Sequence, residues 1–257
     1  MSTRWAQQLS LGKLEQIAER LPITEVHGLD GGPFRQVLSA RDGSQCGETR
    51  IFIGDGVVKK VVYHAIAVEA IGLDSHMIFA FTDPESAVPH WTFDSVLNAP
   101  TYAFHLDLIP RADMSANLEY MDAVYTPLTD AFDAGKAHPG LSEAGIGPRQ
   151  RSVMSHWMLA YRVEEDEYKN IDQYVQAYLD HWFSMVENGL PDDVLASIDS
   201  TDLAARDAAN RGMIFNRKVD FVWDMITPLM GAEQSELMRM NLETNDLIEQ
   251  APAGFTI

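Results

Sequence analysis

Hydrophobic and polar positions alternate most clearly between residues 76 and 111. Three short runs rich in aromatic and aliphatic residues follow one another there, separated by Pro, Asp and Asn. Such runs predict three successive antiparallel strands. Because side chains alternate between the two faces of a strand, Asp94 points away from Phe93, and Asp107 alternates with leucines. The pattern therefore places two acids inside strands that are otherwise typical of a protein core.

These two acids need a partner or a chemical role. An unpaired carboxylate in apolar surroundings is strongly disfavoured, or its pKa rises until it binds a proton. One interpretation is structural, in which Asp94 pairs with Arg50, Arg111 or a backbone amide. Asp107 stands close to Arg111, where an ion pair forms easily. Asp207 lies between arginines on a predicted helix, where an acid is usually salt-bridged at the surface.

The sequence before this region predicts a helix, a loop and a hairpin. Apolar residues recur at helical spacing from Trp5 to Leu21. The segment His27–Ser44 is rich in Gly and short polar residues, which is typical of a loop. Two β-branched runs, Arg50–Ile53 and Val57–Val62, flank Asp55-Gly56, a dipeptide that favours a tight hairpin turn.

The sequence after this region is mainly helical. The clearest helix begins near Ile171, and its apolar residues keep i, i+3, i+4 spacing up to Phe183. The other predicted elements are helical turns at 118–132, a loop at 135–150 long enough to act as a lid, a strand at 155–163, and helices from 201 onward with breaks at Pro228 and Gly231. Strands in the first two thirds with helices on either side predict an α+β layered fold.

Composition narrows the classes of partner and cofactor. With 257 residues and 46% hydrophobic content, we expect residues 1–257 to form a single domain with one large core. The formal charge of -19 argues against nucleic acid and anionic membrane as partners, since both favour basic patches. The single cysteine, Cys46, excludes an internal disulfide, a four-thiolate zinc site and an iron–sulfur cluster held by this chain alone.

Familiar signatures of targeting and of cofactor binding are absent from the sequence. No apolar run approaches the roughly 18 residues of a membrane span, and the first residues lack the features of a secretory signal, so we expect a cytoplasmic protein. There is no G-x-G-x-x-G, no phosphate-binding loop and no helical histidine pair of the zinc-protease type. We therefore expect no bound nucleotide or metal.

Three parts of the sequence resemble a known superfamily. The segment GLDSHMIFAFTDPESAVPHWTFD resembles the central sheet of the ferredoxin-dependent bilin reductases in the spacing of Asp74, Pro84, Pro89 and Asp94. The continuation HLDLIPRADMSANLEYMDAVY is more similar to red chlorophyll catabolite reductase of the same superfamily. The stretches LAARDAANRGMIFN and FVWDMITPLMG also resemble the C-terminal helices of that enzyme. The resemblance covers Val57 to Met230 in separate pieces.

This resemblance implies both a fold and a chemistry. The implied fold is an α+β three-layer α/β/α sandwich, with one central antiparallel sheet flanked by helices. An open-chain tetrapyrrole, such as biliverdin or a red chlorophyll catabolite, lies between the sheet and the C-terminal helices. These enzymes hold no bound metal or organic cofactor. They take single electrons from reduced ferredoxin, and the protein supplies protons to the substrate radicals.

The resemblance also assigns residues. The acid of the sheet falls on Asp94, the expected central proton donor, and the acid of the C-terminal helices falls on Asp207, the expected second acid. A tetrapyrrole that gains an electron becomes more basic, so an acid within hydrogen-bond reach suits proton donation. The expected substrate-binding residues are His76, Met77, Phe81, His90, Trp91, His105, Asp107, Arg111, Arg149 and Arg151. The three arginines match the geometry of propionate carboxylates.

One feature separates this sequence from the bilin reductases that act on biliverdin. Those enzymes place a histidine next to the substrate where this chain has Met77, with His76 one residue away on the other face of the strand unless a bulge intervenes. That difference favours the chlorophyll-catabolite branch or an early-diverging member with its own substrate. The chain is also acidic, as ferredoxins are, so docking needs a local basic patch. The candidate clusters are Lys59-Lys60, Arg149–Arg151, and Arg211 with Arg217 and Lys218.

Two other functions stay open on the sequence alone. A tetrapyrrole-binding or carrier protein of the same fold would bind pigment without reducing it. A cofactor-free hydrolase or isomerase would use Asp94 and the nearby histidines and would not bind pigment. The sequence also leaves open whether the chain forms a homodimer.

Overall fold

The fold is built on one large antiparallel sheet. The computed structural model describes residues 4–250, and nine strands lie within that range. The strands are β1 (Ile23–Val26), β2 (Arg35–Leu38), β3 (Gln45–Gly54), β4 (Val58–Val68), β5 (Leu73–Thr82), β6 (His90–Asn98), β7 (Thr101–Ile109), β8 (Leu141–Glu143) and β9 (Leu159–Val163). Their order across the sheet is β1-β3-β4-β5-β6-β7-β9-β8, and β2 also pairs with β3. All of these pairs are antiparallel.

Helices lie on both faces of this sheet. Those within residues 4–250 are α1 (Trp5–Arg20), α2 (Leu118–Val124), α3 (Thr129–Ala137), α4 (Pro148–Arg151), α5 (Glu165–Tyr168), α6 (Asp172–Asn188), α7 (Asp192–Ser197), α8 (Leu203–Ile214), α9 (Val222–Met230) and α10 (Ala232–Glu243). In the described part of the chain, none of them is long and apolar enough to cross a membrane. We call the face under α1 and α6 the N-terminal face, and the face under α8, α9 and α10 the C-terminal face. The predicted α/β/α sandwich is confirmed.

The alternation of side chains along the central strands decides which residues meet each helical layer. On the N-terminal face, Trp91 and Phe93 of β6 are fully buried, and Trp91 packs against Trp182 of α6. On the C-terminal face, Phe79 of β5 meets Phe215 edge to face, with ring centres 5.0 Å apart. Each such buried side chain contributes roughly 1.5–3 kcal/mol. Both faces are therefore buried, which explains the nearly continuous apolar runs of these strands.

The predicted N-terminal helix, the three central strands and the long helix α6 are confirmed, but several details differ, including the unpredicted strand β1. The predicted loops at 27–44 and 135–150 contain the short strands β2 and β8. These strands lie at the edges of the sheet and bury few side chains, so their apolar pattern is weak. Pro228 does not break α9, which continues to Met230. The helix ends there because Gly231 adopts a φ of 85°, which residues with side chains rarely adopt.

Candidate functional site

Strand pairing brings Met77, Asp94 and His105 into one row on the C-terminal face. Met77 of β5 lies opposite Asp94 of β6, and Asp94 lies opposite His105 of β7. Oδ2 of Asp94 is 3.4 Å from Nδ1 of His105. The side chain of Asp94 is 27% exposed, whereas His105 is 8% exposed. The row therefore presents an acid that a ligand can reach, with a buried imidazole beside it.

His105 is surrounded by negative charge. Burial by itself lowers the pKa of His105. A hydrogen bond to Asp94 and the charges of three acids, Asp94, Asp107 and Asp220, outweigh burial, so the pKa is raised overall. A raised pKa favours the protonated imidazolium near neutral pH. His105 can therefore hold a proton next to Asp94.

Asp220 joins this cluster from the segment between α8 and α9. Burial raises the pKa of Asp220 to about 6, and repulsion from Asp94 adds to the effect. The backbone N–H of Val222 donates to Oδ1 of Asp220 at 3.0 Å, and His105 also opposes the rise. No pattern in the sequence marks Asp220, because the segment Asn-Arg-Lys-Val-Asp has no periodicity. Only the packing of this segment on the sheet reveals it.

Asp107 lies on the same face, two residues along β7 from His105 and opposite Thr92 of β6. Burial raises the pKa of Asp107 to about 6. Its carboxylate accepts hydrogen bonds from the backbone N–H of Ser155 at 2.8 Å and from the Ser155 hydroxyl. We call the group of Asp94, His105, Asp107 and Asp220 the acidic site. No group of three His, Cys, Asp or Glu side chains within residues 4–250 is arranged to hold a metal ion.

Three buried polar atoms of this face have no hydrogen-bond partner among residues 4–250. They are Oγ1 of Thr92, Oδ1 of Asp94 and Nε2 of His105. A buried polar atom without a partner costs roughly 1–3 kcal/mol, so such atoms mark positions where water or a ligand bonds. Thr92 lies two residues before Asp94 and so shares its face. The acidic site therefore has free hydrogen-bonding capacity on the side of the C-terminal helices.

The C-terminal helices leave one end of this face uncovered. Beyond the row of Asp94, the next row of the same face holds Val96, Ala103 and Arg162. Val96 and Ala103 are half-buried, and Arg162 is exposed. A flat ligand can therefore reach the acidic site from this end. Arg162, which no sequence pattern singled out, is the exposed cation of this row.

Two surface cavities lie elsewhere, along α1 on the other helical layer. One has a volume of about 250 Å³ and is bordered by α1 and the start of α6, and the other has about 240 Å³ and lies near the end of α1. Neither contains a residue of the acidic site. The acids that line them, Asp172 and Glu187, form ion pairs with Lys13 and Arg20. We therefore centre the candidate site on the acidic site, where polar atoms lack partners.

The second expected acid, Asp207, lies in a different cluster. Its Oδ1 accepts hydrogen bonds from His90 Nε2 at 2.7 Å and from Arg111, and Arg211 Nη1 lies 3.7 Å from its Oδ2. Burial raises the pKa of Asp207, but His90 and the two arginines outweigh burial and lower it to about 2. His90 is four residues from Asp94, or about 13 Å along the strand. Asp207 is ionised at neutral pH, which does not fit the expected role of second proton donor.

Phe81, His90 and Arg111 also belong to this buried cluster. All three are nearly inaccessible. The guanidinium carbon of Arg211 lies 3.8 Å from the centre of the Phe81 ring and covers it. Protein atoms surround all three side chains, so their expected contacts with the substrate stay a prediction.

His76 and Trp91 lie on the N-terminal face. Nδ1 of His76 is hydrogen-bonded to the Tyr63 hydroxyl at 2.7 Å, and its Nε2 to Asp74 at 3.0 Å. Trp91 packs against Trp182. Because side chains alternate with a period of two, the thickness of the sheet separates both residues from the acidic site. A substrate that binds at the acidic site would therefore not contact them, and their expected role stays a prediction.

Arg149 and Arg151 are exposed on α4. Nη1 of Arg149 donates to the backbone carbonyl of Lys218 at 3.1 Å, which places α4 next to the segment that carries Asp220. Arg151 lies 3.6 Å from Glu143, and such an exposed pair contributes little to stability. Both guanidinium groups can therefore meet a carboxylate of a ligand.

Fold and site together define a class of protein, in which an antiparallel sheet lies between two helical layers and carries an acidic site under the C-terminal helices. The solved structure of phytochromobilin synthase from tomato, in complex with biliverdin, is similar to this chain, with a TM-score of 0.64 and 17% sequence identity. The match covers 95% of this chain and 82% of that chain. No protein-family model and no curated protein matches the sequence. The similarity shows a shared fold and gives no support for the expected closeness to red chlorophyll catabolite reductase.

Proposed function

We propose that this protein reduces an open-chain tetrapyrrole with electrons from reduced ferredoxin. The observation that carries the proposal is the acidic site, which has a reachable carboxylate, a histidine whose pKa is raised and buried polar atoms without partners. The fold shared with biliverdin-bound phytochromobilin synthase supports a pigment of this type as the ligand. In this proposal ferredoxin brings the electrons and the protein brings the protons.

The proposed reaction adds two electrons and two protons across one double bond of the pigment. The first electron gives a radical anion, which is more basic than the neutral pigment. The proton that His105 holds passes through Nδ1 to the carboxylate of Asp94, which delivers it to the radical anion. After the second electron, Asp220 gives the second proton, and solvent reprotonates His105 and Asp220. Two reduced ferredoxins are oxidised for each double bond reduced.

This assignment keeps Asp94 as the central donor and moves the second donor from Asp207 to Asp220. A proton donor works best when its pKa lies near the working pH. The pKa of Asp220 is about 6, whereas that of Asp207 is about 2. We assign Asp207 a structural role instead, because it neutralises the buried guanidinium of Arg111.

We propose a bilin such as biliverdin as the substrate, with a red chlorophyll catabolite as the alternative. The biliverdin bound to phytochromobilin synthase favours a bilin. The resemblance of residues 105–125 to red chlorophyll catabolite reductase, and Met77 in place of a histidine, favour the alternative. Three cations, Arg149, Arg151 and Arg162, can meet carboxylate groups of either pigment. Reduction rates measured with both pigments at equal concentration decide between them.

Visible spectroscopy during anaerobic mixing with biliverdin and a ferredoxin reducing system tests the proposal. The wild-type protein should shift the pigment band on binding and then bleach it. Asp94→Asn should bind the pigment but reduce it at least about 100-fold more slowly, because a positioned acid typically contributes that much. The matched control Asp193→Asn removes an exposed acid of α7 and should react at the wild-type rate.

Other outcomes separate the alternatives. A band shift without bleaching in the wild-type protein would contradict reduction and indicate a pigment carrier. No band shift with either pigment would contradict tetrapyrrole binding and favour a cofactor-free hydrolase or isomerase. An unchanged reduction rate in Asp94→Asn would remove Asp94 from the proton-donor role while the reductase function stands.

A further inference from the structure

The outer side of α9 is apolar and exposed. Phe221, which directly precedes α9 and has helical backbone angles, is 60% exposed, and Met225 is 67% exposed. Pro228 is exposed as well. Residues at i, i+4 and i+7 share one side of a helix, so these three side chains lie in one stripe. We call Phe221, Met225 and Pro228 the outer stripe.

The inner side of α9 already packs on the sheet. Trp223, Ile226 and Met230 are buried there, in the same apolar cluster as Phe79 of β5. A helix that packs on a core with one side normally has polar residues on the other side. Instead, α9 is apolar on both sides, and Asp224 is the one charged residue that it exposes. Exposed apolar side chains that are grouped in this way mark an interaction surface.

The charges next to the outer stripe favour an acidic partner. Lys218 is exposed three residues before Phe221, which is at most about 11 Å between Cα atoms. Arg149 is exposed too, and its Nη1 donates to the backbone carbonyl of Lys218 at 3.1 Å. These two cations outnumber Asp224, although the chain as a whole has 38 acidic and 19 basic residues. A second copy of this acidic chain would bring mainly its own negative charge, so a separate acidic protein fits this surface better.

The outer stripe begins beside the acidic site. Phe221 directly follows Asp220, and the Cα atoms of consecutive residues are about 3.8 Å apart. The carboxyl of Asp220 in turn interacts electrostatically with Asp94 and His105. A protein that covers Phe221 therefore lies next to the residues that supply protons in the proposed reaction.

We propose that the outer stripe is the apolar centre of the surface on which ferredoxin docks. This inference rests on the proposed function. Protein interfaces typically combine an apolar centre, enriched in aromatic residues and Met, with a polar rim. Here Lys218 and Arg149 form the rim, where they attract the acidic carrier, and Phe221 and Met225 hold it once it is in contact. The bound carrier then delivers its electrons next to the acidic site.

Steady-state reduction of biliverdin at varied ferredoxin concentration compares the wild-type protein with Phe221→Ala and Met225→Ala. We expect each variant to raise the KM for ferredoxin about 5- to 30-fold, the effect of losing one central apolar contact. The kcat at saturating ferredoxin and the Kd for biliverdin should change little. The matched control Leu118→Ala shortens a side chain that is 58% exposed on α2, in the other helical layer, and should keep the wild-type KM.

Asp224 gives a variant with an effect of the opposite sign. Asp224→Lys replaces repulsion of an acidic carrier with attraction beside the outer stripe, so the KM for ferredoxin should fall below the wild-type value. Ionic strength separates the apolar contribution from the charged one. Because salt screens charges and not apolar contacts, the ratio of the Phe221→Ala KM to the wild-type KM should persist from about 0.05 to 0.2 M salt.

KM values equal to that of the wild-type protein in both alanine variants would overturn the inference, as would a higher KM in Asp224→Lys. Sedimentation velocity tests whether a second copy of this chain binds there instead. A wild-type dimer that both alanine variants dissociate, with no change in KM, would assign the outer stripe to self-association. Failure of the proposed function is distinct, because the wild-type protein itself would then not reduce pigment with reduced ferredoxin, and both proposals would fall.

Discussion

Two histidine–aspartate pairs on the same sheet face contain histidines whose pKa values are shifted in opposite directions. His90, paired with Asp207, has its pKa lowered to about 3 by burial and by the nearby Arg111. His105, beside Asp94, has a raised pKa because the charge of several carboxylates outweighs burial. Positive neighbours disfavour an imidazolium, and negative neighbours favour it. The surroundings of each pair, and not its residue types, therefore decide which one can transfer a proton.

Asp207→Asn should destabilise the protein by roughly 3–5 kcal/mol, because it leaves buried guanidinium groups without their counter-ion. The control Asp193→Asn should stay within about 0.5 kcal/mol of the wild-type protein. Urea unfolding at pH 7 measures both variants. Folded Asp207→Asn should still reduce pigment within a few-fold of the wild-type rate. A large loss of rate at unchanged stability would return Asp207 to the role of proton donor.

At the scale of secondary-structure elements, the β6–β7 hairpin and the segment before α9 bring the acidic site together. The register of β6 with β7 sets Asp94 opposite His105. The segment before α9 then adds Asp220, a second carboxyl close to the first. Two neighbouring carboxylates repel each other, so ionising both is unfavourable. We infer that this repulsion lowers the stability of the fold at neutral pH. The same repulsion helps to raise the pKa of Asp220, which suits a proton donor.

Asp220→Asn should therefore make the protein more stable at pH 7, by about 1–2 kcal/mol. A carboxyl whose pKa is raised from 3.8 to about 6 binds its proton more tightly in the folded state. Its contribution to stability is present below its unfolded pKa and is lost as the pH rises through the folded value. A shift from 3.8 to about 6 corresponds to about 3 kcal/mol. We expect the smaller effect of about 1–2 kcal/mol because Asp220 is only partly buried and solvent screens its charge.

Urea unfolding of the wild-type protein and Asp220→Asn between pH 3.5 and 7.5 measures this difference. The difference in stability should be smallest at pH 3.5, just below the unfolded pKa of 3.8, where the carboxyl is largely protonated in both the folded and the unfolded protein. Their stabilities should separate between about pH 4 and 6. Equal stability at pH 7 would show that the pKa of Asp220 is not raised.

For the whole molecule, the charge of -19 restricts where an acidic ferredoxin can dock. Two members of the expected basic clusters, Lys60 and Arg211, are buried. Nζ of Lys60 donates to the backbone carbonyls of Thr244 and Asp246, so it cannot meet a partner. The exposed cations on the side of the acidic site include Arg149, Arg151, Arg162 and Lys218. We propose that ferredoxin docks on this surface.

The double variant Arg149→Glu with Lys218→Glu should raise the KM for ferredoxin about 10-fold or more, because it replaces attraction with repulsion. The kcat at saturating ferredoxin should change little. The control Lys169→Glu alters an exposed lysine on the other helical layer and should keep the wild-type KM. Raising the ionic strength from about 0.05 to 0.2 M should weaken ferredoxin binding by the wild-type protein and have less effect on the double variant. Equal KM values would place docking elsewhere.

The sequence by itself determined the central strands and the face on which Asp94 lies. Alternation within a strand depends only on neighbours along the chain. The strands β5, β6 and β7 also follow one another in the sheet, so Met77, Asp94 and His105 meet through pairing that is nearly local. For the same reason α1 and α6 could be predicted from their periodicity, whereas the short edge strands could not.

Only the tertiary structure decided which distant residues share a site and which charge each one carries. The partners of Asp207 come from residues 117 and 96 positions earlier, His90 and Arg111, and their contacts turn an expected proton donor into an ion-paired carboxylate. Asp220 comes close to Asp94 and His105 through the packing of the segment before α9, which no local pattern encodes. A pKa depends on burial and on every nearby charge, and both arise when separate segments pack together.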